Sequence, residues 1–297
     1  MEKSLTIELN NIPDNLRFIL KKGSQDSIVS RAIKECKSIK TLAEKLKVDR
    51  STIYCWKNEW WFMKFKYLKR LMKILDIDLN KICDKIQGVK GQSEVKVLFK
   101  KKLPFEIPVE LIAHLQGDGS IKKRDGRCNY TNQEPLLINS FIESFQKCFV
   151  TKINIYKGKG YTQVNLPAAV GKFLVSKFGT FGSKEFVIPE LKNKKSIKRY
   201  LRAIFDDEGS VVEDKKRYRY ISLRLVNKVA LEQIRKFLSK LRIDSHVYKY
   251  KFELRISKLE NIIRFAKMVN FTHPLQKEKL KKLLNNYKRI TRFGDIL

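Results

Sequence analysis

Residues 111–121 (LIAHLQGDGSI) and 201–211 (LRAIFDDEGSV) are one pattern written twice. Each is a short apolar run at helical spacing that ends in acid-Gly-Ser-aliphatic. The two acids, Asp118 and Glu208, stand 90 residues apart. A hairpin is predicted after each acid. The first runs through 120–124, an Asp125-Gly126 turn and 127–132; the second runs through 210–213, a lysine-rich turn and 218–227. Both hairpins finish on an asparagine, Asn132 (YTNQ) and Asn227 (LVNK), 14 and 19 residues after their acids, the longer second turn making up the difference. An amphipathic helix follows in each copy (135–148 and 228–241), then a second hairpin (152–166 and 245–257) and a further helix (168–177 and 258–269). The unit αββαββα therefore occurs twice, and duplication of a whole element order is not coincidence.

Composition narrows the partner. Lys and Arg number 64 against 31 Asp and Glu, a net charge of +33. Such a field attracts polyanions and releases their counterions, which makes nucleic acid the expected partner; the alternative is a solvated lysine-rich surface. Five cysteines form no CxxC pair and three histidines are scattered, so a structural zinc site or a disulfide framework is not expected. The N-terminus carries no cleavable signal pattern and no apolar run spans a bilayer, so a soluble protein without a membrane partner is expected in the cytoplasm, nucleoid-associated if the cell is prokaryotic.

Three blocks are expected: 1–98, mostly helical and ending in a basic, glycine-bearing linker over 88–102; 99–195, the first repeat; and 196–297, the second. Helices are predicted over 26–37, 40–47, 51–58 and 65–75.

The paired segments resemble the motifs of LAGLIDADG homing endonucleases in their single-chain, two-repeat form, over about residue 104 to the C-terminus. The resemblance implies an α+β, pseudo-symmetric core: two motif helices pack side by side at the centre, their terminal acids meet, and four hairpins make a β-saddle in the DNA major groove. It places the motif acids at Asp118 and Glu208, the glycines at Gly119 and Gly209, and the small packing positions at Ala113 and Ala203. It also implies that Gly117 and Asp207 offer backbone carbonyls to a metal, Mg2+ or another divalent ion such as Mn2+. Asn132 and Asn227 would orient the attacking water, and Lys184 and Lys277, 66 and 69 residues after their acids, would be the catalytic lysines. The pattern departs at Gln116, where an Asp is kept in the second copy as Asp206, and at His114 and Asp207. At Gln116 a change of local capping is expected, and His114 reads as a packed or solvated helix residue. Two acids brought together suit divalent metal, because they repel otherwise, and ions between them can clamp attacking and leaving phosphate oxygens. Taken singly, either acid could merely cap its turn.

Period-two reading assigns the faces of the strands. Lys122, Arg124, Arg127, Asn129, Lys152, Asn154, Tyr156, Tyr161, Gln163 and Asn165 are expected to face DNA from the first copy. Tyr220, Ser222, Arg224 and Arg255 are expected to do so from the second, with Glu253 outward beside Arg255 and Phe252, Leu254 and Ile256 inward. Residues 41–56 also resemble a helix-turn-helix of the phage-repressor type, with Arg50, Ser51, Thr52, Tyr54 and Lys57 as base or phosphate contacts. A plain helical bundle is the alternative there. The expected function is metal-dependent, site-specific cleavage of double-stranded DNA by a monomer. A non-cleaving DNA-binding regulator, or a splicing maturase that binds intron RNA, remains the alternative. The chain begins at Met1 and ends Asp295-Ile296-Leu297 without a splice-junction nucleophile, so a free-standing protein is expected.

Overall fold

The computed structural model describes residues 5–92, 95–182, 184–214 and 218–290, without side chains at 214 and 288–290. The lysine-rich turn after Glu213 and the C-terminal Asp295-Ile296-Leu297 lie outside the described residues.

The N-terminal block contains β1 (Thr6–Ile7), β2 (Arg17–Leu20), α1 (Ser24–Glu35), α2 (Ile39–Leu46), α3 (Arg50–Lys57), α4 (Phe65–Ile74), β3 (Ile86–Lys90), β4 (Lys96–Phe99) and β5 (Phe105–Glu106). Helix α2 starts where the Ser38 hydroxyl accepts the Thr41 N–H at 3.0 Å and stops at Lys47, whose φ of 55° breaks the helix. It buries Leu42, Ala43 and Leu46, and α3 buries Ile53 and Trp56 against them.

The stretch expected as a linker is not one. Its residues supply part of β3 and all of β4, in a four-stranded antiparallel sheet ordered β2-β3-β4-β8. Strand β8 (Phe149–Val150) belongs to the first repeat and pairs with β4 at Leu98↔Val150 and Phe99↔Phe149. Val89 and Val97 point into one continuous core with Phe105, Phe149 and Phe173, so the hydrophobic side of this stretch is used after all.

The two repeats have one topology. The first comprises α5 (Val109–Gln116), β6 (Gly119–Ile121), β7 (Cys128–Asn132), α6 (Pro135–Gln146), β8, β9 (Asn154–Gly158), β10 (Tyr161–Leu166) and α7 (Ala168–Phe178). The second comprises α8 (Lys194–Glu208), β11 (Gly209–Asp214), β12 (Tyr218–Arg224), α9 (Lys228–Lys240), β13 (His246–Tyr248), β14 (Glu253–Ile256) and α10 (Leu259–Met268), followed by a helix not anticipated, α11 (Pro274–Ile290). The sheets are ordered β6-β7-β10-β9 and β11-β12-β14-β13, strand for strand the same.

Helices α5 and α8 pack on each other. Leu111, Ile112 and Leu115 on α5 enter the first core, whereas Val109 and Ala113 enter the second, so this helix is buried on both sides. Ala113 and Ala203 are both buried, as small residues at a close helix crossing should be. Arg199 of α8 bridges to Glu110 of α5. Among the described residues no helix is long and apolar enough to cross a membrane.

Candidate active site and nucleic-acid interface

Each motif helix runs straight into a strand, and the glycine after each acid makes this possible. A Cβ at Gly119 would lie 2.4 Å from the Leu115 Cα, and one at Gly209 2.4 Å from the Phe205 carbonyl oxygen, so each chain turns over its own last helical turn. The turn leaves Asp118 and Glu208 half-buried at the same end of the helix pair.

Both acids are harder to ionise than free carboxylates, and Asp118 feels the charge of Glu208. Asp118 is pushed up to about 7, first by burial and then by the charges of Asp207 and Glu208, although Asn132 and His114 pull the other way. Glu208 is pushed up to about 7 by burial and by Asp207. The Asn132 side-chain amide donates to Asp118 Oδ2 at 2.6 Å, while its own oxygen accepts the Glu134 N–H at 2.8 Å. Among the described residues the Glu208 carboxylate has no hydrogen bond or ion pair.

Asp207 is spent differently. Its side chain is fully buried, with His114 Nδ1 at 3.0 Å and 3.2 Å from its two oxygens and the Tyr130 hydroxyl donating at 2.8 Å. Burial disfavours a charged imidazole, but the Asp207 carboxylate outweighs it and His114 is shifted upward. His114 is thus a packed helix residue that ties α5 to α8. The carboxylate of Asp207 is unavailable to a metal, and only its backbone carbonyl remains. Gly117 faces this pair across the crossing: a Cβ there would lie 2.7 Å from both the Cβ and Oδ2 of Asp207. Because Asp207 is pinned from two sides it cannot yield cheaply, so Gly117→Ala is expected to destabilise the fold by about 1–3 kcal/mol in denaturant unfolding. A neutral result would mean the helix ends are looser than this.

The other departure from the repeat, Gln116, does not recap its own helix as expected but bonds partners far along the chain. Its amide donates to the Val187 carbonyl at 3.0 Å and its oxygen accepts the Tyr200 hydroxyl at 2.7 Å. Its counterpart Asp206 instead accepts the N–H groups of Thr272 and His273 at 2.7 Å and 3.0 Å, just before α11.

Among the described residues none of the other three expected accessory residues bonds either acid. Strand register sets Gly119 opposite Tyr130 and Gly209 opposite Leu223, so the counterpart of Asn132 is Leu225, not Asn227. Asn227 is the buried N-cap of α9: its oxygen accepts the Ala230 N–H at 3.0 Å and its amide donates to the Phe186 carbonyl at 2.8 Å. Glu134 caps α6 at the equivalent position. Lys184 and Lys277 are exposed, and among the described residues neither pairs with Asp118 or Glu208.

The donor set fits a hard divalent cation. Among the described residues no group of three or more His, Cys, Asp and Glu could hold a metal, and the oxygen donors this site presents are the neighbouring carboxylates Asp118 and Glu208. That is the sparse, all-oxygen supply Mg2+ accepts when water and phosphate complete its shell. Burial and neighbouring carboxylate charge lift both acids, and a bound cation would offset that cost.

A pH prediction follows from the two acids. In the unfolded chain they lose their protons near 4, but the folded protein keeps them to about 7. Between those limits the folded state binds more protons, so stability falls as pH rises from about 4 to 7 and stays lower above. Roughly 2 kcal/mol per acid is expected after discounting for solvent screening, and the two are not additive. His114 acts in the same sense at higher pH: its contribution is complete below about 6.5 and is lost as pH rises through its raised folded value. Denaturation midpoints in chelator across this range test the slope, which Asp118→Asn should flatten. Stability that climbs with pH would refute it.

The sheet faces follow the predicted alternation. One row runs Ser120–Asn129–Asn165–Asn154 across four strands and the next runs Thr131–Gln163–Tyr156, with Gln163 donating to Asn165 at 2.6 Å. Tyr161, Lys152, Lys122, Arg124 and Arg127 are exposed, and Arg127 is paired with Asp125 at the hairpin tip. The opposite face carries Tyr130, Val164 and Ile155, the last half-exposed on its edge strand. In the second sheet the row is Ser210–Ser222–Arg255–His246. Arg255 lies over the rings of Tyr220 and Tyr248 at 4.3 Å and 4.8 Å, and it bonds the fully buried Glu253 at 2.7 Å. Arg224 is exposed beside it. Three expectations fail here. Glu253, expected outward, is buried. Ser222 is buried and bonded to Ser210 at 2.8 Å, so it is out of reach. Phe252 is exposed, not inward, because its φ of 50° turns it out under Lys228. In the N-terminal block Arg50, Ser51, Tyr54 and Lys57 are exposed on α3 and Thr52 is half-buried.

A duplicated α+β unit with a polar sheet face and paired helix-end acids defines the class. Residues 195–270, most of the second repeat, match the family described as LAGLIDADG-like domain. The chain is 29% identical over 191 residues to the replication factor C small subunit of Thermococcus kodakarensis, covering 61% of this chain and 21% of that protein. It therefore spans about a fifth of that relative. Among solved structures, full-length WhiA from Thermotoga maritima is similar at 15% identity and TM-score 0.46, over 64% of this chain and 62% of that one. The homing endonuclease I-DmoI, in complex with DNA and Mn, is similar at 16% identity and TM-score 0.36, over 55% of this chain and 95% of that one.

Proposed function

We propose that this protein is a double-stranded DNA endonuclease with two LAGLIDADG-type motifs in one chain, working as a monomer. The observation that carries the reading is the pair Asp118 and Glu208, brought from segments 90 residues apart to one end of a helix crossing, where burial lifts both and the charges of Asp207 and Glu208 lift Asp118 further. A protein that only binds DNA gains nothing from half-buried negative charge beside a polyanion. In this reading Asp118 and Glu208, with the carbonyls of Gly117 and Asp207, hold Mg2+ or Mn2+, which when bound supplies charge neutralisation and an activated water. Asn132 fixes the carboxylate of Asp118. His114 and Tyr130 fix Asp207, and hence the backbone that carries Glu208. The polar rows of the two sheets contact the duplex: Asn129, Asn154, Gln163, Asn165 and Arg224 suit base edges, and Lys122, Arg124 and Lys152 suit phosphates. Helix α3, after the tight turn from α2, is a second reader in the manner of a helix-turn-helix, through Arg50, Ser51, Thr52, Tyr54 and Lys57. The domain organisation proposed is this reader at 1–98, with motif repeats at 99–195 and 196–297.

Incubating the protein and Mg2+ with a plasmid library of random inserts, then sequencing linear products, tests the proposal directly. Recurrent cutting at one sequence supports it. One observation favours a second reading, a DNA-binding regulator or a maturase bound to intron RNA. With Asn227 a helix cap and no bond from Lys184 or Lys277 to either acid among the described residues, Asn132 alone of the expected accessory residues bonds an acid. Tight, sequence-selective binding with no cutting under any divalent ion would favour that reading.

A further inference from the structure

The chain has three tryptophans, and two of them are in the open. Trp56 is buried in the N-terminal core, whereas Trp60 is 72% and Trp61 57% exposed in the loop after α3. Two exposed indoles in successive residues forgo much of the burial that large aromatics supply, and exposed aromatic surface of this kind marks an interaction site.

The loop is braced, not floppy. Glu59 adopts φ 56°, and its carboxylate accepts the N–H groups of Gly23, Gln25 and Asp26 at 3.0, 3.1 and 3.4 Å, at the start of α1. The buried Gln25 amide donates to the carbonyls of Trp56 and Trp61 at 2.8 and 2.9 Å, and its oxygen accepts the Met63 N–H at 3.1 Å. Trp60 and Trp61 both bond the Cys55 carbonyl, at 2.9 and 3.3 Å. Three buried or capping links thus hold the backbone on both sides of the two indoles, so little ordering is left to a ligand.

The surroundings are cationic. The exposed Lys96 holds its ammonium group 5.3 Å from the ring of Phe62, next in sequence, and the exposed Lys57 and half-exposed Tyr54 lead into the loop from α3. Fixed aromatic faces among lysines are what an unpaired nucleobase and its phosphate need: stacking on one, charge on the other. A protein partner would have to bring acidic groups to a chain of +33.

We propose that Trp60 and Trp61 form a stacking platform for unpaired nucleobases, beside α3. The ligand is either a single strand or a base displaced from a duplex. The inference rests on the reading that this protein binds nucleic acid, but not on cleavage. The test uses the full chain, reading tryptophan emission on titration with oligothymidylate, with a duplex carrying one extrahelical base, and with the same duplex fully paired. Mobility shifts are measured in parallel. Emission should be quenched by the single strand or by the extrahelical base, and which arm responds identifies the source. Trp60→Leu and Trp61→Leu should each weaken that arm roughly tenfold and leave fully paired duplex unaffected. Both positions are exposed, so the variants should fold, with buried Trp56 reporting that they do. Mobility shifts without quenching, or quenching that the variants retain, would overturn the platform and leave DNA binding standing. No binding to any probe would instead remove the nucleic-acid reading itself. An emission shift with protein concentration alone would mark a contact between copies and equally overturn the platform.

Discussion

Asp118→Asn and Glu208→Gln should each abolish cleavage, by on the order of a thousandfold or more, while leaving the affinity for the cognate duplex within a few-fold. Each change keeps size and shape and removes one negative charge from a site that supplies only two. Losing half the charge that holds a divalent ion forfeits several kcal/mol of transition-state stabilisation. The contact surface is untouched, since the polar rows lie on the sheets and the acids at the helix ends. The same variants should be more stable than the parent in chelator at neutral pH, because a repelling pair of half-buried carboxylates is reduced to one. Loss of activity with a gain in stability separates a functional acid from a turn cap, whose removal would cost stability. Single-turnover cleavage beside thermal unfolding measures both. A variant that stays fully active, or becomes inactive because it unfolds, would refute the assignment.

His114→Ala should be the most damaging single change to stability, at about 3–5 kcal/mol. Both members of the His114–Asp207 pair are essentially without solvent contact. Deleting the imidazole strands the carboxylate with the Tyr130 hydroxyl as its remaining partner and opens a hole beside Phe141 and Tyr130. Adding Asp207→Asn to His114→Ala should restore much of the loss, because the stranded charge is then gone. Urea unfolding of the two single variants and the double forms the cycle. A loss below about 1 kcal/mol, or exact additivity of the two changes, would mean the pair carries no charge in the fold.

Much of this was legible because the decisive signal is local and repeated. An apolar helix that ends in acid-glycine announces its own strand turn, and two copies announced the pair. Alternation likewise gave the sheet faces, since buried and exposed residues of a half-covered sheet alternate by geometry. What escaped was set by partners distant in the chain. Asn227 looked equivalent to Asn132 because both close a hairpin. Register is counted along the ladder, however, and the ladder puts Leu225 there. The His114–Asp207 pair joins residues 93 apart on different helices, and neither helix hints at the other's face. Strands β3 and β4 were hidden because lysines and a glycine interrupt them, and what makes them strands is β2 on one side and β8 on the other.

That last pairing bears on how the molecule could be taken apart. Because β8 lies within the first repeat and closes a sheet begun near the N-terminus, the leading hundred residues are not a cassette on a tether. Excising them would unzip a ladder and lay open Phe149 and its aromatic neighbours. For the same reason α3 and the first sheet hold a set spacing and rotation, as two marks do on a ruler. A duplex engaged by both would be measured in length and helical phase, not merely recognised twice.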